Sequence, residues 1–275
     1  MPQFKTSDGL SLHFEDAGAG LPILCLSGLT RDGRDFEYVM PHLTGCRVIR
    51  LDYRGRGKSD WAPDPMSYNL QREALDAIEL LDHLGLEKVA VLGTSRGGLI
   101  AMGLAATLKE RLLGVALNDI GPELDPKGLD AIMVYLGVKP RANTLAEASA
   151  GLAYVMREKF LNVPQSRWDE EVAKFFVQTD DGLALSYDPK LRDAVEAASQ
   201  AEMPDLWPFF DALAGLPCAI IRGANSDLLA QTTYDEMMNR LPDAHGVVVK
   251  DRAHVPFLDE PEAIEALQGW IGDMT

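Results

Sequence analysis

The sequence predicts a doubly wound α/β sheet, mostly parallel, interrupted once by a helical insertion. Three observations carry this. Short unbroken apolar runs alternate with amphipathic stretches along most of the chain, and unbroken runs are what strands buried on both faces of a parallel sheet require. The alternation lapses between about residues 122 and 208, where helical patterns punctuated by proline take over. The chain has 275 residues, enough for one large domain or for a core carrying an insertion.

The opening stretch differs from the rest. Leu10, Leu12 and Phe14 alternate with Ser11, His13 and Glu15, the period-two pattern of an antiparallel edge strand. Apolar runs, most of them unbroken, follow at residues 22–26, 47–51, 88–92, 113–117, 217–221 and 246–249. Between them, Leu70, Ala74, Ile78 and Leu81 share one helical face and Gly85 reads as the helix stop. Ile264, Leu267, Trp270 and Ile271 give a second stripe near the end. The insertion reads as helices over 131–136, 145–160 and 168–177. Thr144 with Glu147 forms a candidate capping box, and Ser166 is the candidate cap of the next helix. The organisation is therefore core (1–121), insertion (122–210) and core again (211–275). The insertion is expected to cover the carboxyl edge of the sheet, where ligands bind in open α/β folds.

Charge narrows the partners. The net charge is −16, from 42 acidic and 26 basic residues. Such a surface repels phosphate backbones and anionic lipid, which argues against nucleic acid and membrane surfaces. The amino terminus lacks the basic start and apolar core of a signal peptide, and no apolar run approaches the roughly 20 residues needed to span a bilayer. Cys25, Cys46 and Cys218 are far apart and odd in number. Small buried residues in a reducing compartment are expected, hence a cytoplasmic chain. The sequence leaves the oligomeric state open.

The chemistry centres on Gly93-Thr94-Ser95-Arg96-Gly97, which follows an apolar run and precedes a helical pattern. This is G-x-S-x-G in the strand–turn–helix context that the motif needs. Glycines on either side let strand and helix approach closely, and the serine hydroxyl stands at a helix N-terminus that favours negative charge. A serine hydroxyl needs an adjacent base. Of the five histidines, His13 falls in the first strand pattern and His83 near a helix end, whereas His254 follows the last strand run by a short loop. The base in turn needs a carboxylate to fix its tautomer. Asp227, just after the run at 217–221, is the first choice, and Asp119, which ends the preceding run, is the alternative. Backbone N–H groups of Leu29, after Gly28, and of Arg96 are the candidate oxyanion donors. The Arg96 side chain reads as a structural ion pair in preference to a substrate contact. The glycine-rich run from Asp52 to Asp60 fails as a dinucleotide fingerprint, because position 60 is Asp where glycine is needed. It reads as a structural loop.

With these segments in family order, the sequence resembles the α/β-hydrolase superfamily. The matching pieces are Leu26-Ser27-Gly28-Leu29, the run from Asp52 to Ser59, Gly93 to Gly98, Gly223 to Asp227, and Ala253 to Pro261. The resemblance implies an eight-stranded, mostly parallel sheet with a helical cap. It also implies hydrolysis through a covalent acyl-enzyme without cofactor or metal. Two departures stand beside the chemistry: Ser27 where the family usually has His, and Arg96 where it often has Met or Gln. A serine at position 95 argues against the dehalogenases and epoxide hydrolases of this fold, which use aspartate. Val255 argues against the carbon–carbon hydrolases, which usually carry Trp after the histidine. A small ester, thioester or lactone is the expected substrate. An acyltransferase or perhydrolase using the same triad, and a non-catalytic ligand-binding protein of this fold, are the other readings.

Overall fold

The computed structural model describes residues 2–200 and 204–275. In chain order the first part of the core comprises β1 (Gln3–Lys5), β2 (Ser11–Gly18), β3 (Leu21–Leu26), β4 (Cys46–Leu51), α1 (Leu70–His83), β5 (Val89–Thr94), α2 (Arg96–Leu108) and β6 (Leu112–Asn118). The insertion carries α3 (Pro126–Tyr135), α4 (Leu145–Met156), α5 (Gln165–Phe175), β7 (Phe176–Thr179), β8 (Gly182–Leu185), α6 (Leu191–Ser199) and α7 (Trp207–Asp211). The core resumes with β9 (Cys218–Gly223), α8 (Gln231–Arg240), β10 (His245–Val249) and α9 (Pro261–Gly272). Among the described residues no helix is long and apolar enough to cross a membrane.

An eight-stranded sheet has the order β1-β2-β4-β3-β5-β6-β9-β10. Pairing is parallel from β4 to β10 and antiparallel only at β1–β2 and β2–β4. The unbroken apolar runs are explained by the two faces they serve. Leu24 and Leu26 of β3, with Val89 and Val91 of β5, pack on one side with residues of α1 and α2. Ile23, Cys25, Ala90 and Leu92 pack on the other with Ala263, Leu267 and Trp270 of α9.

The first strand pattern departs from its reading. β2 is not the edge: it lies between β1 and β4, and His13, on the polar side of the alternation, is only 2% exposed. The three-residue β1 was too short to leave a periodic signal. Its Phe4 joins Phe14 and the His83 ring, with centroids 5.9–6.2 Å apart.

Helix boundaries in the insertion also move. α4 stops at Met156, and a tight turn follows in which Phe160 N–H donates to the Met156 carbonyl at 2.8 Å. This turn delivers Phe160 to Trp168 and Phe257, with ring centroids 5.6 Å from each. α5 begins at Gln165 straight after Pro164, so Ser166 lies inside its first turn and caps nothing. The Thr144 hydroxyl does accept the Glu147 N–H, at 3.2 Å, while the Glu147 carboxylate reaches back to Asn143 N–H at 2.8 Å. Val177, read as helical, belongs to the β7–β8 hairpin. Both strands are only four residues long; β7 is largely exposed, whereas β8 is half-buried with Leu183 inside.

Candidate active site

Ser95 joins β5 to α2 at φ 50°, ψ −114°, a conformation that costs a non-glycine residue about 1–3 kcal/mol. The neighbouring glycines make it possible. A Cβ on Gly97 would fall 1.9 Å from the Leu26 carbonyl oxygen, and one on Gly93 would fall 2.6 Å from the Gly97 backbone. No side chain larger than hydrogen fits either place, so the strand and helix can meet only through glycine.

His254 sits in the loop between β10 and α9, at the carboxyl end of the sheet. Its Nε2 lies 2.9 Å from Ser95 Oγ and its Nδ1 lies 2.7 Å from Asp119 Oδ2. A carboxylate only accepts, so Nδ1 carries the proton and Nε2 is left to accept from the serine. Asp119 turns off the end of β6 at φ 53° and its side chain is fully buried. Two further donors hold it: Gly223 N–H to Oδ1 at 2.7 Å, and the Ser226 hydroxyl to Oδ2 at 2.6 Å.

The acid chosen first from sequence is therefore misplaced. Asp227 does not touch His254. It accepts from Lys159 Nζ at 2.5 Å in a pair that is 29% and 46% exposed on its two sides. β6 and β9 are neighbours in the sheet, so an acid at either carboxyl end starts within reach of the same histidine. Here the end of β9 gives Gly223 and the loop after it gives Ser226 to the Asp119 carboxylate, while the next residue, Asp227, pairs with Lys159. One residue that sequence reasoning missed is Asn118. Its Nδ2 donates to the Pro256 carbonyl at 3.1 Å and to Thr94 Oγ1 at 3.2 Å. It thereby ties the histidine loop to the elbow. Its signal was a polar side chain at the end of an apolar run.

Gly28 and Leu29 share a cavity of about 150 Å³ with Ser95 and His254. The turn is closed by Arg31 N–H to the Gly28 carbonyl at 3.2 Å and by Ser27 Oγ to the Arg31 carbonyl at 3.0 Å. Among the described residues the N–H groups of Leu29 and Arg96 donate to no protein acceptor, which leaves both free for an oxyanion. The Arg96 side chain stands apart from the cavity. Its Nε donates to Glu73 at 2.5 Å and its Nη2 to the Tyr68 carbonyl at 3.2 Å. The run from Asp52 to Asp60 is a structural loop, with the Asp52 carboxylate accepting Gly33 and Lys58 N–H groups at 2.9 Å each.

The insertion supplies one wall of the cavity, including Ile132, Tyr135, Leu152, Met156, Phe160 and Trp168. Tyr154 of α4 lies outside the cavity, 66% exposed. Leu136 and Met133 pack around Tyr187. A polar strip crosses the apolar wall. Arg31 Nε donates to both Asp35 oxygens at 2.8 Å, its Nη2 donates to Glu171 at 2.6 Å, and Lys174 meets Glu171 at 2.9 Å. Burial works to raise the Glu171 carboxyl, but Arg31 and Lys174 outweigh it and hold it at about 2. Among the described residues no group of three or more His, Cys, Asp or Glu is placed to hold a metal ion.

The sequence matches the model of the Alpha/beta hydrolase family over residues 23–267. The chain belongs to the alpha/beta hydrolase family. Within it, the chain is 39% identical over 251 residues to a 3-hydroxybutyrate-oligomer hydrolase of Cupriavidus necator, covering 88% of this chain and 85% of that one. The fold superposes on an alpha/beta hydrolase from Novosphingobium aromaticivorans with a TM-score of 0.93, at 36% identity and over 100% and 98% of the two chains. A thermophilic esterase from Thermogutta terrifontis is also similar, with a TM-score of 0.74 at 25% identity over 100% and 99% of the chains.

Proposed function

We propose that this hydrolase is a serine esterase of small carboxylic esters, acting through Ser95, His254 and Asp119, and that short oligoesters of hydroxy acids are its favoured substrates. One observation carries the reading. An unbroken hydrogen-bonded line runs from Ser95 Oγ through both nitrogens of His254 to the buried carboxylate of Asp119, in a cavity with two free N–H groups beside the serine. The substrate class is supported by the Cupriavidus relative, which matches over most of both chains. It is also supported by the cavity's mixture of apolar wall and polar strip, since such oligoesters alternate methyl and carbonyl groups.

The chemistry follows from the geometry. Ser95 Oγ attacks the ester carbon as its proton passes to His254 Nε2, and Asp119 stabilises the imidazolium. The Leu29 and Arg96 N–H groups take the oxyanion, each worth about 3–4 kcal/mol by comparison with other such donors. Collapse expels the alkoxide, which takes the proton from Nε2 and leaves the acyl group on Ser95. A water molecule then gives its proton to Nε2 and attacks the acyl carbon. Collapse of that intermediate releases the acid and returns the proton to Ser95. The insertion at 122–210 acts as the cap over this site.

The test has two arms. A fluorophosphonate is expected to label the protein one-to-one, and Ser95→Ala to abolish both labelling and turnover. Dimers to tetramers of 3-hydroxybutyrate, beside thioesters and lactones of similar size, are expected to be cleaved in preference, with products resolved by chromatography. Persistent labelling in Ser95→Ala would remove the nucleophile. Intact oligomers alongside cleaved simple esters would remove the substrate class alone.

A further inference from the structure

The two candidate oxyanion donors come from different parts of the chain. Leu29 lies in the loop after β3, and Arg96 opens α2. A chain of charged side chains connects them. Arg96 Nε donates to Glu73 Oε2 at 2.5 Å, Arg56 Nη1 donates to Glu73 Oε1 at 2.7 Å, and Arg56 Nε donates to the Leu29 carbonyl at 2.9 Å. The side chains of Arg56 and Glu73 are fully buried and that of Arg96 is 12% exposed. Glu73 reaches this place from the first turns of α1.

Such a cluster is a poor device for stability. Buried ion pairs return little of their desolvation cost, and apolar residues of similar volume often do as well. The cluster also fails to balance, with two guanidinium groups on one carboxylate, and Arg56 Nη2 has no hydrogen-bond partner among the described residues. What it does achieve is rigid geometry. Guanidinium–carboxylate bonds are short and directional, and here they span from the residue after the nucleophile to the turn opposite it. An oxyanion hole acts only if its donors are fixed before charge develops. Misplacement by about 1 Å can cost a hundredfold.

We propose that Glu73 is a positioning residue which, through Arg56 and Arg96, holds the Leu29 and Arg96 N–H groups at the spacing a tetrahedral oxyanion needs. The proposal rests on the serine-esterase reading above. It gives a purpose to the arginine that stands where the family often has Met or Gln. The net positive charge of the cluster adds to the same effect, since it lies beside the site where negative charge appears.

The deciding variant is Arg96→Met. It keeps the backbone N–H at position 96 and leaves Arg56 and Glu73 as a balanced pair, so the fold is expected to survive. The expected result is a kcat lower by about 10- to 100-fold with KM within about twofold. A boronic acid that mimics the tetrahedral intermediate should lose affinity by the same factor as kcat. Arg96→Lys, which restores the charge to Glu73, should recover most of kcat. Glu73→Gln should lower kcat at least as far as Arg96→Met. A folded Arg96→Met protein with kcat within twofold of the parent would overturn the proposal. So would a loss confined to KM, which would make Arg96 a substrate contact. Fluorophosphonate labelling of the parent, lost in Ser95→Ala, tests the underlying reading separately. If that labelling behaves as expected and Arg96→Met is unaffected, only the positioning role falls.

Discussion

Replacing Asp119 by Asn and Asp227 by Asn should give opposite results, and the structure sets the size of each. The Asp119 carboxylate accepts from three donors: Gly223 N–H at Oδ1, and Ser226 Oγ with His254 Nδ1 at Oδ2. An asparagine offers one acceptor oxygen and one NH2 group in the same space. The Gly223 N–H is fixed by the backbone and claims the oxygen. The NH2 group then faces His254 Nδ1, which must accept, so the ring proton moves to Nε2. That nitrogen can no longer take the proton of Ser95. In a serine protease the equivalent tautomer trap lowers kcat by about ten thousandfold, or about 5–6 kcal/mol of transition-state stabilisation. Asp227→Asn loses only a half-exposed pair with Lys159, worth about 0–1 kcal/mol of stability, and its turnover should stay within about twofold. Steady-state hydrolysis of a p-nitrophenyl ester, with the rate of fluorophosphonate labelling as a second readout, measures both. A large loss in Asp227→Asn beside near-normal turnover in Asp119→Asn would refute the reasoning.

Two further outcomes are expected. Gly97→Ala places a methyl group 1.9 Å from the Leu26 carbonyl of a central strand. It should therefore cost more than the usual overpacking penalty, about 3 kcal/mol or above, and lower the melting temperature by about 10 °C; an unchanged melt would show that the elbow can relax. Glu171, at about 2 against an ordinary value of 4.5, stabilises the fold fully above pH 4.5 and loses that contribution as pH falls toward 2, by up to about 3 kcal/mol. The stability gap between the parent and Glu171→Gln, from urea unfolding at pH 7, 5, 4 and 3, should be widest above pH 5 and narrow on acidification, and a constant gap would exclude the ion pairing as its source.

Much of this fold was legible because its strands are buried on both faces. β3, β5, β6 and β9 read as unbroken apolar runs since layers of side chains close over each side. The serine elbow was legible for a related reason: close contact between a strand and a helix forces glycine at fixed offsets, and such steric demands are written locally. The acid was not written locally. Asp119 directly follows β6 and Asp227 follows β9 by a short loop, and the two strands are neighbours in one sheet. What separates them is a pair of hydrogen bonds from Gly223 and Ser226 back to Asp119, across more than a hundred residues of sequence. No periodicity or spacing encodes where those donors point. Glu73 illustrates the same limit from the other side. On α1 it falls among charged residues of an amphipathic helix, where nothing in the local sequence singles it out, yet it is fully buried between two arginines. The residues that build an active site against steric demands were therefore visible in the chain, whereas those that orient it through long-range polar contacts became visible only when the chain was folded.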